Sequence, residues 1–349
     1  MSVTIYDIAR KARVGIGTVS RVFNNHPNVS ERTRKRVLAV SRRLNYRPHP
    51  VARALAGQRS NSILAFIPFF PTHFFSEVLQ GVQSRLSELD WELILYGINH
   101  PDQLESSIQR HSLRSHMNGI LLFSMRMNDK YAKHLVSLKP PLVLVDVYHP
   151  LFDSITVNNR RGGYLATQHL IASGHRRVGF LNANPQSTPA RERLKGYKDA
   201  MKEAGLEIRS EWIRQSSSKE LDGFTRETGT HLMKEFLTLG TKRPTALFVA
   251  SDIQAIGALQ ALEESGLRCP DDMALVGFDD IELSRYLNIS TVRQPMFQMG
   301  ALAVDIFHRR LMDRKSPPTH TQFVPELVVR NSSNGRSQTP LILAAGAKP

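Results

Sequence analysis

From about Asn61 onward, short apolar runs alternate with longer amphipathic ones, and this alternation restricts the fold more than any other feature of the chain. Ser62–Pro68 (SILAFIP), Glu92–Tyr96, Gly119–Phe123 and Leu142–Val145 read as buried strands. Helical stretches over Phe75–Asp90, Gln103–Ser115 and Asp129–Leu138 separate them. The alternation then restarts. Helices are expected over Asn159–Ser173, Ala190–Ala204, Gly223–Leu239 and Ser251–Ser265, and strands over Arg177–Leu181, Ala246–Ala250 and Ala274–Phe278. A long late helix, Met296–Arg314, and a strand pair over Gln322–Val329, broken at Pro325, complete the pattern. Strands without a polar face need cover on both sides, and a helix between successive strands makes them parallel. The expected class is therefore α/β, with two similar lobes of parallel sheet flanked by helices.

The first sixty residues differ in kind. Thr4 and Asp7 form a capping-box pattern, and Ile5, Ile8, Ala9 and Ala12 give the helix that follows one apolar face. Gly15 is expected to supply the freedom for a sharp turn. A second helix starts at Ile16 or Gly17, with Val19, Val22 and Phe23 inward and Gly17, Thr18, Ser20 and Arg21 outward. Two short helices about a glycine-containing turn form the helix-turn-helix plan, whose second helix enters the DNA major groove. Ser30 should cap a third helix running to Leu44, with Val37, Val40 and Leu44 buried and its arginines, Arg34 among them, solvated.

Charge points the same way. Residues 1–60 hold 13 Lys and Arg against 2 Asp and Glu, so +11 of the net +15 sits in this segment. Phosphate neutralisation calls for that concentration. Asn45–Pro50 carries two prolines and cannot be helical. Val51–Ala56, closed by Gly57, is too short to hold a helix alone. It should fold only when docked, with Leu55 placed to wedge between base pairs from the minor groove.

These stretches, TIYDIARKARVGIGTVSRVFNN, NVSERTRKRVLAVSRRLNYRP and VARALAG, closely resemble the N-terminal region of the LacI/GalR family of bacterial transcription regulators. The resemblance implies a DNA-contacting set of Thr4, Ile16, Gly17, Thr18, Ser20, Arg21, Asn24, Tyr46, Arg53 and Leu55. In that set Arg21 reads a base and Leu55 intercalates. Glycine stands at position 15, where the family usually has a capping Ser, and Gly17 has no side chain to read a base. Discrimination should therefore lean on Arg21, the hinge and DNA shape. For residues 61–330 the resemblance implies a periplasmic-binding-protein-like core. Its chain crosses between lobes near Val157, Ser290 and Pro325, and ligand binds at the carboxyl ends of the strands. The implied division is a headpiece over 1–47, a hinge helix and linker over 48–60, the two-lobed domain over 61–330, and a flexible tail over 331–349.

Cleft candidates follow. His73 and Phe75, from the aromatic run Phe69–Phe75, could stack on a ring, although lobe packing explains at least two of the four Phe equally well. Asp146 ends a strand and can accept from hydroxyls. By family position Arg191 clamps polar ligand groups, Ser251 stands where Asn is usual, and Asp279 contacts ligand. Asp252 reads as a helix N-cap and Asp280 as a loop residue. Gln294, beside a crossover, could face the cleft.

The sequence excludes other chemistry. One cysteine, Cys269, rules out a disulfide framework and any multi-cysteine zinc site, and fits a reducing cytosol. No nucleophile elbow, P-loop, zincin or dinucleotide-binding pattern stands in its required context. No secretory region or membrane span is apparent. We therefore expect no cofactor and no metal, and a cytoplasmic homodimeric repressor of transcription that binds a pseudo-palindromic DNA operator and a small effector, a sugar or sugar acid. A periplasmic solute-binding protein and an α/β enzyme acting on sugars are the rival readings; the basic headpiece argues against the first, and turnover of a sugar would revive the second.

Overall fold

The computed structural model describes residues 3–23, 26–44, 46, 62–68, 73–98, 103–114, 118–138, 141–218 and 220–334. Asn24, Arg53 and Leu55, and the expected hinge helix with them, lie outside the described residues. Two compact units emerge, one built on Met1–Asn61 and the other on Ser62–Ser112 and Asn118–Pro349.

The first unit packs α1 (Ile5–Ala12), α2 (Ile16–Phe23) and α3 (Glu31–Arg43) around Ile8, Ala9, Ala12, Val19, Val22 and Val37. Thr4 closes the front of α1: its N–H and hydroxyl donate to Asp7 Oδ2 at 3.0 and 2.7 Å. The turn departs from expectation. Its left-handed residue is Arg13 (φ 51°), whereas Gly15 has no positive φ. Gly15 instead precedes α2 directly, its carbonyl accepting from the N–H groups of Thr18 (2.9 Å) and Val19 (3.2 Å). Arg34 is also corrected: it donates to the carbonyls of Val22 (3.4 Å) and His26 (2.9 Å), tying α3 to the end of α2. Ser30 caps α3 as expected, accepting from Thr33 N–H.

The second unit holds two lobes. In chain order, β1 (Ser62–Pro68), α4 (His73–Glu88), β2 (Glu92–Ile98), α5 (Leu104–Arg114), β3 (Gly119–Phe123), α6 (Asp129–Leu138), β4 (Leu142–Val145) and β5 (Asp153–Val157) build the first. The second contains α7 (Asn159–Ala172), β6 (Val178–Asn182), α8 (Thr188–Glu203), β7 (Ile213–Gln215), α9 (Arg226–Leu237), β8 (Ala246–Val249), α10 (Asp252–Glu264), β9 (Ala274–Asp279), α11 (Glu282–Tyr286) and β10 (Ser290–Arg293). The chain then returns: α12 (Met296–Met312) and β11 (His320–Phe323) belong to the first lobe, and β12 (Glu326–Val328) to the second. The sheet orders are β11-β5-β4-β3-β1-β2 and β12-β10-β9-β8-β6-β7, and every pairing is parallel except β10 with β12. The chain thus changes lobe after Val157, at Gln294–Pro295 and at Val324–Pro325.

Each sheet buries an apolar cluster, Ile63, Phe123, Val143 and Phe307 in the first lobe, Phe180, Tyr197, Phe248 and Phe278 in the second. A bidentate ion pair, Arg310 Nε and Nη2 to Asp153 at 2.8 and 2.9 Å, fastens α12 to β5. Helices α7 and α8 meet backbone to backbone: a Cβ on Gly196 would stand 2.0 Å from the Arg160 carbonyl oxygen, so only glycine allows the approach. The run expected as a flexible tail from 331 begins folded. Asn331–Ser333 forms a 3₁₀ turn in which the Ser332 hydroxyl donates to the Leu275 carbonyl at 2.7 Å and the Ser333 hydroxyl to Ser290 Oγ at 2.6 Å.

Candidate functional site

Two regions carry the chemistry expected of a regulator. The first is the outer side of α2. Burying Val19 and Val22 turns Ile16 (42 % exposed), Gly17 and Arg21 outward and leaves Thr18 and Ser20 half-buried. Lys11, Arg13, Arg32, Lys35, Arg36, Arg42 and Arg43 are exposed as well. Acidic partners reach only Arg10 (Asp7, 2.5 Å) and Arg34 (Glu31, 4.0 Å) among the described residues of this unit, so most of its positive charge is uncompensated. Tyr46 is engaged differently from expectation: its ring packs on Phe23, centroids 5.8 Å apart, and burial raises its phenol pKa.

The second region is a cavity of about 410 Å³ where the lobes meet. Its walls come from the loop after β3 (Met125, Arg126), the loop after β4 (Asp146, Tyr148, His149), the first crossover (Asn158, Asn159) and the start of α8 (Thr188, Pro189). Strand ends here hold unusual backbone: Ser124, Asp146, Asp279 and Asp280 have φ of 49°, 60°, 121° and 61°. Such conformations persist only where surrounding structure fixes them, and they gather at functional sites. Asp146 is half-buried at the cavity wall; desolvation raises its pKa, and it accepts from the Ser124 hydroxyl at 2.7 Å.

Behind the cavity lies an arginine the sequence reading passed over. Arg193, 4 % exposed, donates Nε to Asn159 Oδ1 at 2.9 Å and Nη1 to the Ala250 carbonyl. Its guanidinium carbon stands 3.6 Å from the centroid of the Phe278 ring, and Nη2 lies 3.8 Å from Asp279 Oδ1. Arg191, expected to clamp ligand, lies apart from Arg193 at the head of α8, where Nη1 donates to the Gln186 carbonyl at 2.7 Å and Nη2 reaches Thr188 Oγ1 at 3.4 Å. A signal was available. Ala190, Arg193, Gly196, Tyr197, Ala200 and Met201 recur at helical spacing, so one face of α8 is buried with Arg193 on it and Arg191 off it.

Around Arg193 the acids are unequal. Asp252 is no helix cap, correcting the expectation; Ser251 is, its Oγ accepting from Gln254 N–H at 3.3 Å. That bond and another to Gln254 Oε1 occupy the Ser251 hydroxyl, which is 2 % exposed. Asp252 accepts from Ile281 N–H (3.1 Å) and the hydroxyls of Ser284 (2.7 Å) and Thr291 (2.6 Å). Three donors favour its anion although burial, and then the Asp279 charge, push its pKa up. Asp279 accepts from Gln294 Nε2 at 2.6 Å, and burial pushes it up to about 7 against the pull of Arg193. Burial thus raises both acids, Asp252 to about 8 and Asp279 to about 7, and the two share a proton as a pair. Gln294 Oε1 is buried and has no hydrogen-bond partner among the described residues. Asp280, expected in a loop, is a buried hub for Arg293 (2.7 Å) and Arg330 (2.6 Å). Of the aromatic candidates, Phe75 is 7 % exposed and packs edge-on against Phe74 and Phe123, so it belongs to the core of the first lobe. His73 is exposed at the start of α4.

Among the described residues no cluster could hold a metal ion, and no helix is long and apolar enough to cross a membrane. Comparison with known proteins agrees with both regions. Residues 4–49 match the family described as bacterial regulatory proteins, lacI family, and residues 167–333 match a periplasmic binding protein-like domain. The transcriptional repressor PurR of Photobacterium profundum is 33% identical over 336 residues, covering 94% of this chain and 98% of that one. The ribose operon repressor of Haemophilus influenzae is 34% identical over 335 residues, with 94% and 98% covered. A lac repressor dimer bound to operator and the anti-inducer ONPF superposes with a TM-score of 0.83 at 28% identity, over 95% of this chain and 99% of that one. The transcriptional regulator CelR with cellobiose gives 0.70 at 29% identity, with 95% and 99% covered.

Proposed function

The chain belongs to the LacI family of bacterial regulatory proteins, and from that membership we propose how its residues divide the work of an effector-controlled repressor. The observation that carries this reading is the pairing of an uncompensated basic helix-turn-helix with a separate cavity whose wall holds a half-buried carboxylate oriented by the Ser124 hydroxyl. Residues 1–47 grip DNA, with Arg21 aimed at a base edge and Thr18 and Ser20 at phosphates. Residues 48–60 form the hinge, with Leu55 in the minor groove. Two copies on a two-fold axis read a pseudo-palindromic operator, as a homodimer in the cytoplasm.

The effector is a sugar or sugar derivative held between the lobes by Asp146, Asn159, Arg193, Asp279 and Gln294. Arg193 serves from behind the cavity wall, where it holds Asn159 and faces Asp279. Binding occurs without turnover: the acids are engaged by fixed donors, and their arrangement suits recognition. Ligand changes operator affinity to the extent that it prefers one arrangement of the lobes.

The test begins with genomic footprinting to obtain the operator, followed by gel shifts with Leu55→Ala. Operator affinity should fall ten-fold or more, about 1.4 kcal/mol, while salt-sensitive binding to unrelated DNA persists. Unchanged operator affinity would remove the hinge from the mechanism.

A further inference from the structure

Arg126 follows β3 in the first lobe, and Arg191 lies in the first turn of α8 in the second. Their guanidinium groups converge on one acceptor. Arg126 donates to the Thr188 hydroxyl oxygen, and Arg191 Nη2 reaches the same oxygen at 3.4 Å. Arg191 Nη1 is held by the carbonyls of Gln186 (2.7 Å) and Pro185 (3.4 Å). Among the described residues neither arginine forms an ion pair. Arg126 is exposed towards the cavity; partial desolvation there and then the Arg191 charge pull its pKa down, with Asp222 the opposing influence. Two cations from opposite lobes are thus gathered on a neutral hydroxyl at the wall of the cavity that Arg126 and Thr188 line.

Such an arrangement is incomplete electrostatically. Like charges brought together repel; the shared hydroxyl is neutral, and Asp222, the acid that acts on Arg126, forms no ion pair with either arginine among the described residues. An oxyanion between them would satisfy both, since a guanidinium fork matches the oxygens of phosphate or carboxylate. The same cavity is lined by Asp146, which accepts donors and repels anions. A ligand fitting both features carries hydroxyls at one end and negative charge at the other.

We propose that Arg126 and Arg191 form an anion subsite of the inter-lobe cavity, so that its ligand is an anionic sugar derivative, a sugar phosphate or sugar acid, with its charged group between the two guanidiniums and its hydroxyls on Asp146. The proposal rests on reading the cavity as the effector site.

The full-length chain is titrated with inorganic phosphate and, separately, acetate, and its thermal midpoint is followed in wild type, Arg126→Gln, Arg191→Gln and the double variant. At least one anion should raise the wild-type midpoint; the larger effect identifies the phosphate or the carboxylate form. The rise should at least halve in each single variant and vanish in the double one. Without anion, Arg126→Gln should melt no lower than wild type, because it relieves repulsion. A fall of several degrees would make Arg126 a structural strap between the lobes and overturn the proposal, as would no rise with either anion or a rise that survives in the double variant. Paired sugars then separate the two readings by gel shift: glucose against glucuronate and glucose 6-phosphate, ribose against ribose 5-phosphate. A charged member that alters operator binding at ten-fold lower concentration than its neutral partner, through both arginines, supports the subsite. A neutral sugar acting equally on wild type and the double variant would keep the cavity as the effector site and eliminate the anion.

Discussion

Arg193 and Asp279 face each other in the buried cluster behind the cavity, and the burial of Asp279 fixes the sign of a pH effect. A carboxyl whose pKa is raised on folding holds its proton more tightly in the folded chain. The stability it contributes is full below the unfolded value of 3.8 and is lost as pH rises through about 7. The thermal midpoint of the wild type should therefore decline between about pH 4 and 7. Asp279→Asn should flatten that decline, and superimposable pH profiles would show that Asp279 is ionised throughout. Little of this was readable beforehand. Asp146 is singled out by its strand end and Asp279 by family position; Asp146 follows β4 and lines the cavity, and Asp279 ends β9, buried beside Arg193. Arg193 was missed because Arg191, two residues earlier, offered the same charge, and only the periodicity of α8 separates a buried arginine from one at the helix head. Phe75 shows the opposite error: an aromatic near a strand end is as suited to the core as to a ligand ring, and packing around it decides.

At the scale of elements, long helices and central strands were legible because their apolar periods are strong. The strands β5 (DSITV), β7 (IRQ) and β10 (STVR) were not, since polar residues interrupt them, whereas equally short strands such as β3 and β4 are apolar throughout. The α1–α2 turn was misassigned for a related reason: glycine is the usual left-handed residue, yet Arg13 takes that conformation here while Gly15 leads into α2. Space around each glycine separates permissive from obligatory ones. A Cβ on Gly17 would meet nothing within 4 Å, whereas one on Gly196 would meet backbone at 2.0 Å. Gly17→Ala should stabilise the headpiece by about 0.5–1 kcal/mol, the helix-propensity difference. Gly196→Ala should cost roughly 1–3 kcal/mol by forcing α7 and α8 apart, and should weaken effector binding because Arg193 rides on α8. Paired melting curves and ligand titrations check both; a neutral Gly196→Ala would show that α8 shifts without penalty.

The whole molecule divides its charge as it divides its labour. The first 60 residues carry +11 of the net +15, leaving +4 spread over the remaining 289. Duplex binding scales with the number of phosphates neutralised, so a domain with so little net charge has no comparable attraction for DNA. The two units also keep separate apolar clusters: Ile8, Val19, Val22 and Val37 share none with those of the sheets. Deleting residues 1–60 should therefore leave the lobes folded and ligand binding within about two-fold of the full chain, a difference of roughly 0.4 kcal/mol. It should abolish operator capture and most salt-sensitive binding to unrelated DNA together. Those two losses have different origins, recognition by α2 and the hinge on one side and plain phosphate neutralisation on the other. Their joint disappearance would place both in one segment. If the shortened chain still selected the operator, the lobes themselves would have to read DNA, and the effector cleft would be coupled to a surface other than the helix-turn-helix.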